Sequence, residues 1–137
     1  MYEFTQRAVI NAIINDIRLT DAKVKPVPVK VSLKLHTFKD EPPFDLDFNY
    51  RSAFGKLDYL AQTTRPDIMY ATHQIAKYLS DPRQSHGEAI LYLVCYLKNT
   101  CTLGLKFKPN PEKGFYVRQF SVQYKYVLLA CLAKARR

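Results

Sequence analysis

The sequence predicts a mainly α protein with a small β component (α+β): a bundle of about four helices, then a short C-terminal β-hairpin and a final helix. Three observations carry this. Apolar residues recur at three- and four-residue spacing in several separate stretches. Proline, capping residues and short polar runs fall between those stretches. Beyond the fourth, a short segment alternates with period two, as a half-buried strand does.

From Phe4 to Leu19, the residues Val9, Ile10, Ile13, Ile14 and Ile17 make one stripe, which predicts a helix within residues 1–21. Residues 22–49 carry Pro26, Pro28, Pro42 and Pro43, and are expected to be an extended Pro-rich linker, or to pair with a sheet supplied from elsewhere. Residues 50–102 read as a three-helix unit. Tyr50, Phe54, Leu57 and Leu60/Ala61 form the second stripe, which stops at Thr63-Thr64-Arg65-Pro66. Pro66 suits the first turn of a third helix, capped by Thr64 or Arg65, on which Ile68, Thr72, Ile75 and Leu79 share one arc. Asp81-Pro82 ends it. Ser85-His86-Gly87-Glu88 reads as a capping box for a fourth helix that buries Ala89, Leu93, Tyr96 and Leu97 and runs to about Asn99. Residues 103–137 begin with Gly104-Leu105-Lys106-Phe107-Lys108, a strand that the turn at 109–114 returns as Phe115-Tyr116-Val117. A last helix, about Ser121 to Ala135, ends in a basic tail. The long linker and a strand lacking most of its sheet predict marginal stability.

Composition bounds the function. With 137 residues, 47% of them hydrophobic, and only four glycines, the chain suits one globular domain and excludes collagen-like and wholly disordered classes. The longest apolar run, Val127 to Ala133, is far short of the roughly 18–20 residues of a membrane-spanning helix, so no membrane partner is expected. Cys95, Cys101 and Cys131 fit neither a disulfide framework nor a zinc spacing, which points to a reducing, intracellular location, cytoplasmic or nuclear. The formal charge of +9 favours anionic partners, although solvated lysines explain it equally well.

No catalytic constellation stands out: there is no glycine-rich phosphate loop, Cys-x-x-Cys pair or His-Glu-x-x-His zinc motif. His36, His73 and His86 fall in different elements, and His86 projects onto an apolar arc, where a histidine packed against backbone is expected. Asp67 and Asp81 lie beside prolines at helix boundaries and are expected to cap backbone N–H groups. Arg65 could hold a phosphate or pair locally with Asp67.

The blocks Tyr50-Arg51-Ser52-Ala53-Phe54-Gly55-Lys56-Leu57-Asp58-Tyr59-Leu60, Thr64-Arg65-Pro66-Asp67-Ile68, Ser80-Asp81-Pro82-Arg83 with His86, Tyr96-Leu97-Lys98-Asn99-Thr100 and Gly104-Leu105 closely resemble the reverse-transcriptase part of copia-type LTR retrotransposon Pol polyproteins. The resemblance covers roughly residues 48–114. It implies a thumb and connection segment that holds the template–primer duplex between polymerase and RNase H, with Tyr50, Gly55, Leu57, Arg65, Pro66, Asp67, Asp81, Pro82, His86, Tyr96 and Leu97 as structural motif residues. Candidate phosphate contacts are Lys56, Arg65, Lys77, Arg83 and Lys98. The paired aspartates that bind Mg2+ in such polymerases belong upstream of Phe4, and no carboxylate follows Glu112, where RNase H would supply one. The resemblance therefore implies a truncated, non-catalytic remnant without a cofactor of its own, keeping at most weak, sequence-independent RNA or DNA binding. Leu91 and Cys95 stand where related elements carry a basic pair. They are expected to face outward, giving an alternative role as a protein–protein module that self-associates or pairs with a fuller Pol protein through this face and the C-terminal helix.

Overall fold

The computed structural model describes residues 2–30, 35, 40–110, 112 and 114–118. The isoleucine stripe forms α1 (Arg7–Asp16), burying Ile10, Ile13 and Ile14. Its C-terminus closes as a Schellman motif, with Leu19 N–H donating to Ile14 O (3.0 Å) and Arg18 N–H to Asn15 O (3.1 Å). Arg18 takes the left-handed position there, at φ 57°. α2 (Tyr50–Thr63) starts at Asn49, whose side chain accepts from Ser52 N–H, and buries Tyr50, Ala53, Leu57, Leu60 and Ala61. The third helix opens as the 3₁₀ turn Pro66–Ile68, with Pro66 at its first position, and continues as α3 (Met69–Ala76). Its expected arc is the packed one: Ile68, Thr72 and Ile75 are buried and Leu79 packs on the core. α4 (Gln84–Asn99) buries His86, Ile90, Leu93, Val94, Tyr96 and Leu97.

A three-stranded antiparallel sheet flanks the helices, in the order β1 (Tyr2–Phe4), β2 (Leu105–Asn110), β3 (Gly114–Arg118). The hairpin β2–β3 is the one expected from the alternation, with Lys106 opposite Arg118 and Asn110 opposite Gly114. β1 was not expected. Three residues carry no readable period, and their partners lie a hundred positions away, Tyr2 opposite Phe107 and Phe4 opposite Leu105. The expected final helix lies outside the described residues, as does His36.

Residues 1–21 and 50–102, read from sequence as separate units, share one core. Ile10, Ile13, Ile14 and Ile17 join Leu57, Leu60, Ile75, Ile90, Leu93 and Leu97 in a single cluster. The described parts of 22–49 are laid against the helices rather than strung between them. Lys25 N–H donates to Cys95 O (3.4 Å), and Phe44 N–H to Pro82 O (3.1 Å). Tyr78 O–H donates to Leu35 O (2.9 Å). Phe44 meets Phe48 and Tyr50 edge to face, at centroid distances of 5.1 and 5.4 Å. Gly87 permits this: a Cβ there would stand 2.5 Å from Phe44 Cε2 and 2.8 Å from Leu46 Cδ1. Proline spacing described a chain that cannot join a helix, and was silent on the apolar anchors Val29, Leu35, Phe44 and Phe48 that fix it to the core.

Candidate nucleic-acid interface

Four of the five cations expected to meet phosphate are engaged within the chain. Arg65 is 1% exposed. Its Nε and Nη2 donate to Asp67 Oδ1 and Oδ2 (3.0 and 2.8 Å), and Nη1 and Nη2 donate to Thr100 O and Oγ1 (2.8 and 2.7 Å). Tyr96 O–H donates to Asp67 Oδ2 at 2.7 Å. The planar fork thus ties the turn before α3 to the end of α4, where the Thr100 carbonyl needs a donor. Of the two roles open to Arg65, the structure selects the local ion pair. A phosphate cannot reach a guanidinium enclosed this way. Asp67, expected to cap backbone N–H groups, spends its carboxylate on Arg65 and Tyr96 instead.

Lys98 Nζ donates to the carbonyls of Leu19, Thr20 and Ala22, closing the turn after α1 onto α4. Lys56 pairs with Asp16 at the end of α1. Arg83 donates from Nη1 to Glu41 O (3.1 Å) and from Nη2 to Asp81 Oδ2 (2.8 Å). Lys77 is exposed on α3, and the contact at its Nζ is Gln74 Oε1 at 3.1 Å.

The α4 N-terminus is satisfied differently from the Ser85–Glu88 box expected from sequence. Arg83 takes the cap position, and a guanidinium offers no acceptor. The first-turn donors meet Glu41 instead: its carboxylate accepts from Ser85 N–H (3.2 Å) and from Ser85 Oγ (2.5 Å to the nearer oxygen), while Glu88 is exposed. A carboxylate 44 positions away leaves no local signal. His86 is fully buried, as expected. Its Nδ1 accepts from Arg83 N–H at 3.0 Å, and its ring stacks on Tyr78 at 4.0 Å.

The expected outward apolar face of α4 is corrected. Cys95 is 7% exposed and Leu91 packs against the core. The cover is the segment after α1: Lys25 reaches Cys95 O, its Nζ stands 5.4 Å from the Tyr92 ring centre, and Asn99 Nδ2 donates to Lys25 O. Apolar residues at these positions suit that cover.

Among the motif residues, Tyr50, Leu57, Arg65, Asp67, His86, Tyr96 and Leu97 are buried, while Gly55 and Asp81 are exposed and Pro82 is half-buried. Burial raises the Tyr96 phenol well above its ordinary pKa, and the Asp67 carboxylate raises it further against the opposing pull of Arg65. Burial raises Tyr50 in the same way, with Tyr78 adding to it. Among the described residues no three His, Cys, Asp or Glu side chains gather to hold a metal ion. No described helix is long and apolar enough to cross a membrane.

The fold and its interior network define a helical packing unit in which Lys56, Arg65, Arg83 and Lys98 fasten one element to another. By sequence the chain is related to the Pol polyproteins of copia-type retrotransposons. It is 30% identical over 101 residues to the retrovirus-related Pol polyprotein from transposon TNT 1-94 of Nicotiana tabacum, covering 70% of this chain and 8% of that protein. It is 31% identical over 104 residues to the retrovirus-related Pol polyprotein from transposon RE1 of Arabidopsis thaliana, covering 76% of this chain and 7% of the relative. A further relative, secreted RxLR effector protein 161 of Plasmopara viticola, is 40% identical over 58 residues, 42% of this chain and 41% of that protein. The chain thus spans less than half the length of each of these relatives. No family model matches it, and no solved structure does.

Proposed function

We propose that this chain is a non-catalytic remnant of a copia-type Pol protein, corresponding to the thumb and connection that hold the template–primer duplex between polymerase and RNase H. The relationship to two plant Pol polyproteins over 70% and 76% of the chain carries this reading. The protein binds RNA and DNA weakly and without sequence preference, acting on the backbone and not the bases. It has no polymerase or nuclease activity of its own and resides inside the cell, in cytoplasm or nucleus, where its thiols stay reduced. Gel-shift titration with duplexes of unrelated sequence at two salt concentrations tests the binding: retardation that weakens steeply with salt supports it, and no retardation at low salt overturns it. Primer extension with Mg2+ tests the rest, with no product expected.

A further inference from the structure

Residues paired directly across an antiparallel sheet share a face. The register of Tyr2 with Phe107, Phe4 with Leu105 and Phe107 with Val117 therefore gathers one apolar face from all three strands. The opposite face takes the positions of Glu3, Lys106, Lys108 and Arg118. The apolar face does not join the core of the bundle. Tyr2 is 64% and Phe4 55% exposed, and the core cluster that the helices share takes in none of Tyr2, Phe4 or Leu105. A sheet buries its apolar face against a second layer, and among the described residues this one has none.

Size, reach and charge together identify the cover. Strands about 4.8 Å apart, the longest of six residues, make a face roughly 15 Å square, whereas a stable interface between separate molecules takes about 800 Å2 from each partner. A segment of the same chain can manage with less, because its tether supplies a high local concentration. Gln119 and Phe120 separate β3 from the helix that the sequence predicts from Ser121, and two residues suit a strand-to-helix connection. A helix over residues 121–135 extends about 22 Å, enough to cross the face, and contains the longest apolar run of the chain, residues 127–133. From Ser121 onward the sequence carries Lys125, Lys134, Arg136 and Arg137 and no carboxylate. Like charge opposes docking of that segment on the face of Lys106, Lys108 and Arg118, which leaves the apolar one.

We propose that residues 121–135 pack as a helix across this sheet face, seating the run 127–133 over Tyr2, Phe4 and Leu105. The inference goes beyond the proposed function and does not depend on it. With this layer in place the sheet and tail form a small two-layer unit beside the bundle, and the apolar run is no longer available to grip another chain.

The full chain carrying Tyr2→Cys is treated with a short bismaleimide and its peptides are mapped by mass spectrometry, with sedimentation of the wild type alongside. A link from position 2 to Cys131 within one chain is expected. A link between two chains, with a wild-type dimer in sedimentation, assigns the face to a second copy and overturns the proposal. A link to Cys101 alone, or none, also overturns it. Leu128→Asp gives a readout that needs no cross-link. Amide exchange in residues 2–4 and 105–110 is expected to quicken several-fold, with α1 to α4 exchanging as in wild type. Strand exchange that stays at the wild-type rate, or that quickens equally in strands and helices, overturns the proposal.

Discussion

Arg65 meets Asp67 edge to edge in the interior, Nε to Oδ1 at 3.0 Å and Nη2 to Oδ2 at 2.8 Å, with both side chains almost wholly shielded from water. Removing one partner leaves the other charged and buried. Asp67→Ala is therefore expected to cost about 3–5 kcal/mol. Tyr96→Phe leaves the ion pair intact and removes one hydrogen bond, costing about 0.5–1.5 kcal/mol. Urea denaturation of both variants checks the order; equal effects contradict this account of the network.

Glu41 on the Ser85 backbone and hydroxyl acts as a helix cap delivered from a distance. Glu41→Ala and Ser85→Ala should each cost about 1 kcal/mol. Because both remove the hydroxyl–carboxylate contact, which the double variant can lose only once, the double variant should cost less than the two single costs together. A double-mutant cycle in urea measures this, and full additivity would sink the assignment.

Gly87 and Gly55 should respond oppositely to the same substitution. Gly87→Ala drives a methyl into Phe44 and Leu46 and should destabilise by about 1–3 kcal/mol. Gly55→Ala meets open space and should stabilise by about 0.5–1 kcal/mol. Melting temperatures of the pair decide it.

The buried phenols of Tyr50 and Tyr96 have folded-state pKa values above the unfolded one. The neutral phenol is thus the form that the fold holds. Its contribution is fully present below the unfolded tyrosine pKa, about 10, and is lost as pH climbs from there toward the folded values. Stability by circular dichroism should hold to about pH 10 and decline above it. Tyr96→Phe should flatten that decline in part. A decline beginning near neutrality, or none to high pH, contradicts it.

The long linker and sheet-poor hairpin predict marginal stability from sequence, while α1 and α4 share one core. The shared core predicts a single cooperative urea transition for residues 1–21 and 50–102, with a slope of roughly 1–3 kcal/mol per molar denaturant. Two separated transitions, read by tyrosine fluorescence and circular dichroism, would show that α1 docks independently.

The helices were legible because each announces itself locally. The isoleucine stripe, the Ile68/Thr72/Ile75 arc and the proline before α3 need no knowledge of the rest of the chain. What stayed hidden joins distant positions. Glu41 finds Ser85 across 44 residues, Lys98 finds the turn after α1 across more than 70, and Tyr2 pairs with Phe107. Two candidate phosphate contacts were opaque for the same reason: Lys56 and Lys98 look like free cations in sequence, and only packing reveals the carboxylate and carbonyls of remote elements that hold them, whereas the Arg65–Asp67 pair spans two residues and was one of the two roles open to Arg65. Leu91 and Cys95 looked like exposed apolar losses because their cover, near Lys25, belongs to a stretch that reads as a spacer. Gly55 points the other way: its spacing is visible in sequence, but only geometry shows that nothing within the described chain fills its place.

The pairing of Tyr2 with Phe107, and of Lys106 with Arg118, puts β1 and β3 on opposite sides of β2. Strands two apart in a sheet lie about 10 Å from each other. Everything between is one long excursion that leaves this sheet and returns to it. The four helices are thus a single insertion between two neighbouring, hydrogen-bonded strands, β1 and β2.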